Sequence, residues 1–197
     1  MKANALHIPA LMGLLACLSA CSSLQGKQVN GVYTSPDGEF SVMVPRVLDV
    51  ETTDGVVGPS KRFVDFSMGP YWTAEGAYSV EWYKLGKLYA TDADFIKDTR
   101  EFLPSLVADS VNPSFKPQQT EDIQVNGHPA VRLVAEGVDG GIDAYWVATS
   151  IDFGDRIAIS IMLVPKRDEP RYYGPPSSDA APLYGSYPAF TNSITRH

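Results

Sequence analysis

Residues 121–164 read EDIQVNGHPAVRLVAEGVDGGIDAYWVATSIDFGDRIAISIMLV, four apolar stretches separated by three turn signals. Asn126-Gly127 is a two-residue hairpin turn, because both residues accept positive φ. Asp139-Gly140-Gly141 and Phe153-Gly154-Asp155 reverse the chain again. The intervals predict strands over 121–125, 130–136, 142–151 and 156–164. Connections this short join antiparallel neighbours, so the four strands make a meander. In the last of them Ile157, Ile159, Ile161 and Leu163 alternate with Ala158, Ser160, Met162 and Val164. A strand apolar on both faces belongs in the middle of a sheet covered on both sides.

Upstream, Val32-Tyr33 leads into Ser35-Pro36-Asp37-Gly38, a turn whose proline presets φ and whose glycine tolerates positive φ. Glu39 to Val44 follows as a strand with Phe40, Val42 and Val44 on one face, and Pro45 ends it. Residues 49–60, rich in Asp, Thr and Gly, read as a loop. Residues 62–68 and 78–82 alternate and predict a long hairpin; the loop between them carries Tyr71 and Trp72. At Thr91-Asp92-Ala93-Asp94 the period changes. Thr91 is a helix cap, and acidic residues suit a first helical turn. Phe95, Ile96, Phe102, Leu103, Leu106 and Val107 recur at helical spacing, with Pro104 expected to kink or split the helix. Residues 166–184 form a long loop rich in Pro, Gly, Ser and Asp. Tyr187, Phe190 and Ile194 mark a short closing helix. No repeat and no second domain is evident, so residues 31–197 read as one domain.

The N-terminus carries a different signal. Lys2 precedes an apolar stretch, Ile8 to Leu18, too short to span a bilayer. Leu18-Ser19-Ala20-Cys21 then falls in lipobox order. That arrangement resembles bacterial lipoprotein signals. It implies cleavage after residue 20, acylation of the Cys21 thiol and new amino group, and residues 21–30 as a lipidated tether. Each buried methylene contributes about 0.8 kcal/mol, so several acyl chains hold a protein that one chain would hold only marginally. Ser22, in place of the aspartate associated with inner-membrane retention in such lipoproteins, favours the outer membrane, facing the periplasm.

Removal of residues 1–20 leaves 177 residues, a length suited to one domain. Lys2 leaves too, so 15 basic residues face 23 acidic ones, a net charge of −8. An acidic body with no basic stripe is a poor partner for nucleic acid. Cys17 lies in the leader and Cys21 carries lipid, so the mature body has no disulfide, thiolate nucleophile or cysteine metal site.

Residues that carry chemistry are sparse. No Gly-x-Ser-x-Gly elbow occurs, and of three histidines His7 leaves with the leader and His197 is the last residue, which leaves His128 beside a hairpin turn. Asp139 with Asp143, and Asp152 with Asp155, bracket turns. A glycosidase needs two carboxyls facing across a cleft, but aspartate also favours turns for local hydrogen bonding, and that reading is preferred. Calcium and zinc patterns are missing, so no metal or cofactor is expected. Tyr71 and Trp72 at a hairpin tip, with Tyr172 and Tyr173 in the long loop, make the candidate recognition surface, and Tyr184 and Tyr187 follow them. Rigid amphipathic rings on loops suit recognition of a protein or sugar.

The order of elements also resembles a family. A hairpin, Tyr33-Thr34-Ser35-Pro36-Asp37-Gly38-Glu39-Phe40-Ser41-Val42 running to Pro45, comes first. A mid-chain helix follows, then Asn126-Gly127-His128-Pro129-Ala130, a meander, and Phe190-Thr191-Asn192-Ser193-Ile194. This is similar to the PsbP-like α/β/α sandwich, which includes DcrB-type bacterial lipoproteins. The resemblance implies an α+β fold, a central antiparallel sheet with helices on both faces, and an accessory or binding role without shared catalytic residues. The expectation is a non-enzymatic, membrane-anchored envelope lipoprotein partnered by another envelope protein or a cell-wall component. The alternatives are a cell-envelope hydrolase using paired aspartates, or a small-ligand carrier with an enclosed apolar cavity.

Overall fold

The β-rich character of residues 121–164 extends through most of the described residues. The structure, a computed structural model, describes residues 25–44, 50–57, 61–68, 77–84, 86, 88–110, 114–166 and 187–197. The described strands are β1 (Lys27–Val29), β2 (Val32–Thr34), β3 (Phe40–Met43), β4 (Val50–Val57), β5 (Lys61–Met68), β6 (Ala77–Lys84), β7 (Lys116–Val125), β8 (His128–Asp139), β9 (Ile142–Asp152), β10 (Arg156–Pro165) and β11 (Thr195–Arg196). Two helices are described, α1 (Asp92–Ser110) and α2 (Tyr187–Asn192). The strands form a seven-stranded sheet ordered β4-β5-β6-β10-β9-β8-β7 and a four-stranded sheet ordered β1-β2-β3-β11. Every pairing is antiparallel.

The meander forms as its turns require. Asn126 and Gly127 take φ of 53° and 81°, the left-handed values that close a two-residue hairpin. β10 is the central strand, with three strands on either side. Ala158, Ser160 and Met162 are buried on one face and Ile159 on the other.

These two faces meet different layers, which corrects the expected fold class. The four-stranded sheet and the six-residue α2 cover one face of the large sheet, so this is a mostly β structure and not a sheet with helices on both sides. The cause lies in β2 and β3. Their alternation turns Tyr33, Phe40 and Val42 inward, onto Val80 and Trp82 of β6 and Ala158 and Met162 of β10. Phe40 stacks on Trp82 at 4.7 Å between ring centroids, and Trp82 meets Phe153 at 5.5 Å. Tyr78 meets the Phe190 ring of α2 edge-on at 5.0 Å. Sheet-on-sheet burial of this kind fills the face that a helix was expected to occupy.

The opposite face is covered by α1. Thr91 caps it reciprocally: the Asp94 amide donates to Thr91 Oγ1 at 3.2 Å, and the Thr91 amide donates to Asp94 Oδ2 at 3.2 Å. Phe95, Leu103 and Val107 pack onto Val131, Leu133, Ala135 and Trp146. Pro104 lies inside one continuous helix, so the expected split does not occur. Phe102, expected in the core stripe, is exposed.

Two further corrections follow. Residues 50–57, read as loop, are strand β4, an edge strand paired with β5 alone. The domain also starts before Gly31, because Lys27–Val29 pairs with β2 through the Asn30-Gly31 turn, where φ is 52° and 77°. The 62–68/78–82 hairpin and the closing helix form as expected. The 166–184 loop lies outside the described residues beyond Lys166.

Candidate functional site

Cys21, Tyr71, Trp72, Tyr172, Tyr173 and Tyr184 lie outside the described residues. Tyr187 opens α2. The turn aspartates are placed. Asp139 and Asp143 stand at the exposed tip of the β8–β9 hairpin, where Asp139 pairs with Ile142 and Val138 with Asp143. Asp152 accepts the Gly154 amide at 2.7 Å, a local turn bond. Asp155 is held between two arginines, with Arg156 at 2.9 Å and Arg196 at 2.6 Å. His128 packs its ring on Phe153, centroids 4.5 Å apart.

The sequence did not reveal two polar clusters that join the two sheets. The first unites Tyr33 of β2 with Asp54 of β4 and Arg62 of β5. Strand alternation puts Asp54 and Arg62 on the face turned toward the small sheet. Arg62 Nη2 lies 2.7 Å from Asp54 Oδ1 in a nearly buried ion pair. Tyr33 Oη and the Gly26 amide both donate to Asp54 Oδ2, the latter at 2.6 Å. Burial, followed by the bond to Asp54, pushes the Tyr33 phenol far above its ordinary pKa, so it stays a donor. Asp54 therefore fastens the segment leading into β1, at Gly26, to the edge of the large sheet.

The second cluster centres on Glu39, at the β2–β3 turn. Arg156 of β10 donates to both its oxygens, Nε to Oε2 and Nη2 to Oε1, each at 3.0 Å. Lys84 Nζ and Trp82 Nε1 add bonds of 2.9 and 3.2 Å. The Arg156 fork holds the Glu39 carboxyl down to about 2, against the opposing effect of partial burial. Around it the C-terminus closes: the His197 amide donates to the Glu39 carbonyl at 2.9 Å, and Arg196 Nη1 donates to the Phe153 carbonyl at 2.7 Å. In both clusters the charges are paired between elements, Asp54 with Arg62 and Glu39 with Arg156, so the clusters fasten the two sheets together. No group of three or more His, Cys, Asp or Glu able to hold a metal occurs among the described residues.

The small sheet also has an outward face. Its register aligns Val29 with Val32 and Val32 with Met43, and, one row away, Lys27 with Thr34, Thr34 with Ser41 and Ser41 with Thr195. Val29, Val32 and Met43 are 50%, 39% and 42% exposed. They form an apolar row beside the Asn30-Gly31 turn. None of the seven residues in these rows is acidic.

No family model and no curated protein matches this chain. Solved structures do. The solution structure of cyanobacterial PsbP (CyanoP) from Synechocystis sp. PCC 6803 superposes with a TM-score of 0.55 at 12% identity, covering 86% of this chain and 95% of that one. Looser likenesses are a Pseudomonas aeruginosa protein of unknown function, PA94, a putative regulator by its own description (TM-score 0.38, 16% identity, 75% and 87% covered), and the T6SS immunity protein TplEi of P. aeruginosa (0.40, 12%, 88% and 50%). The likeness to CyanoP shows the fold alone, and that fold is PsbP-like.

Proposed function

We propose that this protein is a non-enzymatic envelope lipoprotein, held at a membrane by acyl chains on Cys21 and presenting its sandwich to the periplasm as an accessory or binding module. The outer membrane is its site, and another envelope protein or a cell-wall component is its partner. The observation that carries this reading is the spacing of Leu18-Ser19-Ala20-Cys21 from the fold: β1 begins at Lys27, six residues after the acylated cysteine. That spacing suits an export leader ending at residue 20, ahead of the first described strand. The polar clusters support a non-catalytic role, since Glu39, Asp54 and Asp155 each face an arginine. Tyr71 and Trp72, in the β5–β6 connection, and Tyr172 and Tyr173 supply the recognition surface for the partner.

The test is Cys21→Ala. The variant leaves the membrane fraction for the soluble fraction, while the native protein stays with membranes washed in salt and carbonate. A variant that remains bound after those washes refutes the lipid anchor.

A further inference from the structure

We propose that the outward face of the small sheet, through Val29, Val32 and Met43, rests on the bilayer to which Cys21 tethers the domain; this deepens the lipid-anchor reading and rests on it. Three observations converge. The first is reach. The Gly26 amide is fixed on Asp54 at 2.6 Å, five residues after Cys21 in sequence. At 3.3–3.6 Å per residue that span is at most about 18 Å. Of the described elements, the β1–β2 hairpin is the one next to Cys21 in sequence. A tether this short keeps the adjoining surface at millimolar effective concentration against the headgroups, so a small contact suffices.

The second observation is the surface itself. Three adjacent, half-exposed apolar side chains lie in one row across β1, β2 and β3, at the end marked by the Asn30-Gly31 turn. Isolated exposed apolar residues are ordinary, as Leu88 and Phe102 are here. A contiguous row on one sheet face, next to the tether, is the kind of surface that a small assisted contact can use.

The third is charge. The mature chain carries −8, and an anionic bilayer repels such a body. The rows of this face hold Val29, Val32 and Met43 and, beside them, Lys27, Thr34, Ser41 and Thr195, with no acidic side chain among them. The face nearest the anchor thus carries a lysine and no acidic side chain to oppose an anionic surface.

The test uses the absence of other thiols in the mature body. Met43→Cys, in the full lipidated chain, is labelled with an environment-sensitive nitrobenzoxadiazole and reconstituted into phosphatidylethanolamine–phosphatidylglycerol vesicles with or without nitroxide-bearing lipid. Val32→Cys is the second site, and Lys97→Cys, on the exposed face of α1, is the reference. The expected result is a blue shift and nitroxide quenching at positions 43 and 32, with neither at 97. A vesicle-bound protein whose labels at 43 and 32 report water overturns the proposal and leaves the anchor standing. Labels equally shielded in a soluble form starting at Ser22 would show that the face pairs with a second copy, which also overturns it. A chain that carries no lipid and does not float with vesicles refutes the anchor itself, a separate outcome.

Discussion

Replacing Glu39 with glutamine keeps the shape at the β2–β3 turn and removes the charge that Arg156 grips from β10. The carboxyl stands at about 2 in the folded protein against an ordinary 4.5. At about 1.4 kcal/mol per pH unit, that depression corresponds to at most about 3 kcal/mol at neutral pH. A quarter of the Glu39 side chain remains in water, and solvent screening reduces the contribution to about 1–2 kcal/mol. Because the folded value is depressed, the stabilisation is complete above about pH 4.5 and is lost as the pH falls toward 2. Urea denaturation followed by circular dichroism, on the native chain and Glu39→Gln at several pH values between 7 and 3, reads the difference directly. The two midpoints should lie apart at pH 7 and draw together below pH 4.5. A gap that stays constant down to pH 3, or no gap at pH 7, would refute the reasoning, because either result would mean that the arginine does not stabilise the charged form.

Asp54→Ala removes the acceptor shared by Tyr33, Gly26 and Arg62, leaving a buried guanidinium without its carboxylate. The loss should be about 3–5 kcal/mol, whereas Tyr33→Phe should cost only about 1–2, both read from urea midpoints. Gly137→Ala would bring a Cβ within 2.7 Å of the Phe115 Cα, a backbone atom with little room to move, so it should cost about 1–3 kcal/mol; an unchanged melting temperature would contradict that packing. Asn126→Gly keeps the hairpin turn but deletes the side-chain bonds to the carbonyls of Asn192, at 2.8 Å, and Ile194, at 3.2 Å. Amide hydrogen exchange in residues 193–197 should then accelerate while the β7–β8 amides stay protected.

What the sequence made legible was local. Asn126-Gly127 announced its hairpin through two residues that accept positive φ, and two-faced apolarity placed β10 at the centre of the sheet. The same Val-Asn-Gly signal occurs at residues 29–31 and makes the same kind of turn, but the short, exposed β1 before it resembles a polar tether. β4 was hidden because Asp54-Gly55 looks like a turn; Asp54 is tolerated in a strand because Arg62, two residues away in register on the neighbouring strand, neutralises it. The second sheet was hidden for a different reason. β3 pairs with β11 across about 150 residues, Ser41 with Thr195, and no turn signal or periodicity encodes a partner so distant. Without that sheet the inward face of β2 and β3 had no destination, and a helix was assigned in its place. The Glu39 and Asp54 clusters depend on the small sheet packing over the large one, contacts equally distant in sequence, and were equally invisible. The aromatic candidates Tyr71, Trp72, Tyr172 and Tyr173 fall on segments outside the described residues.

The central claim is that lipid on one cysteine keeps this sandwich at a membrane. Intact-mass and peptide mass spectrometry of the protein extracted from its native membranes tests it most directly. The account predicts an N-terminal peptide beginning at Cys21 and bearing thioether-linked diacylglycerol with a further acyl chain on its amino group. A terminus that begins elsewhere, or a Cys21 with a free thiol, would contradict it.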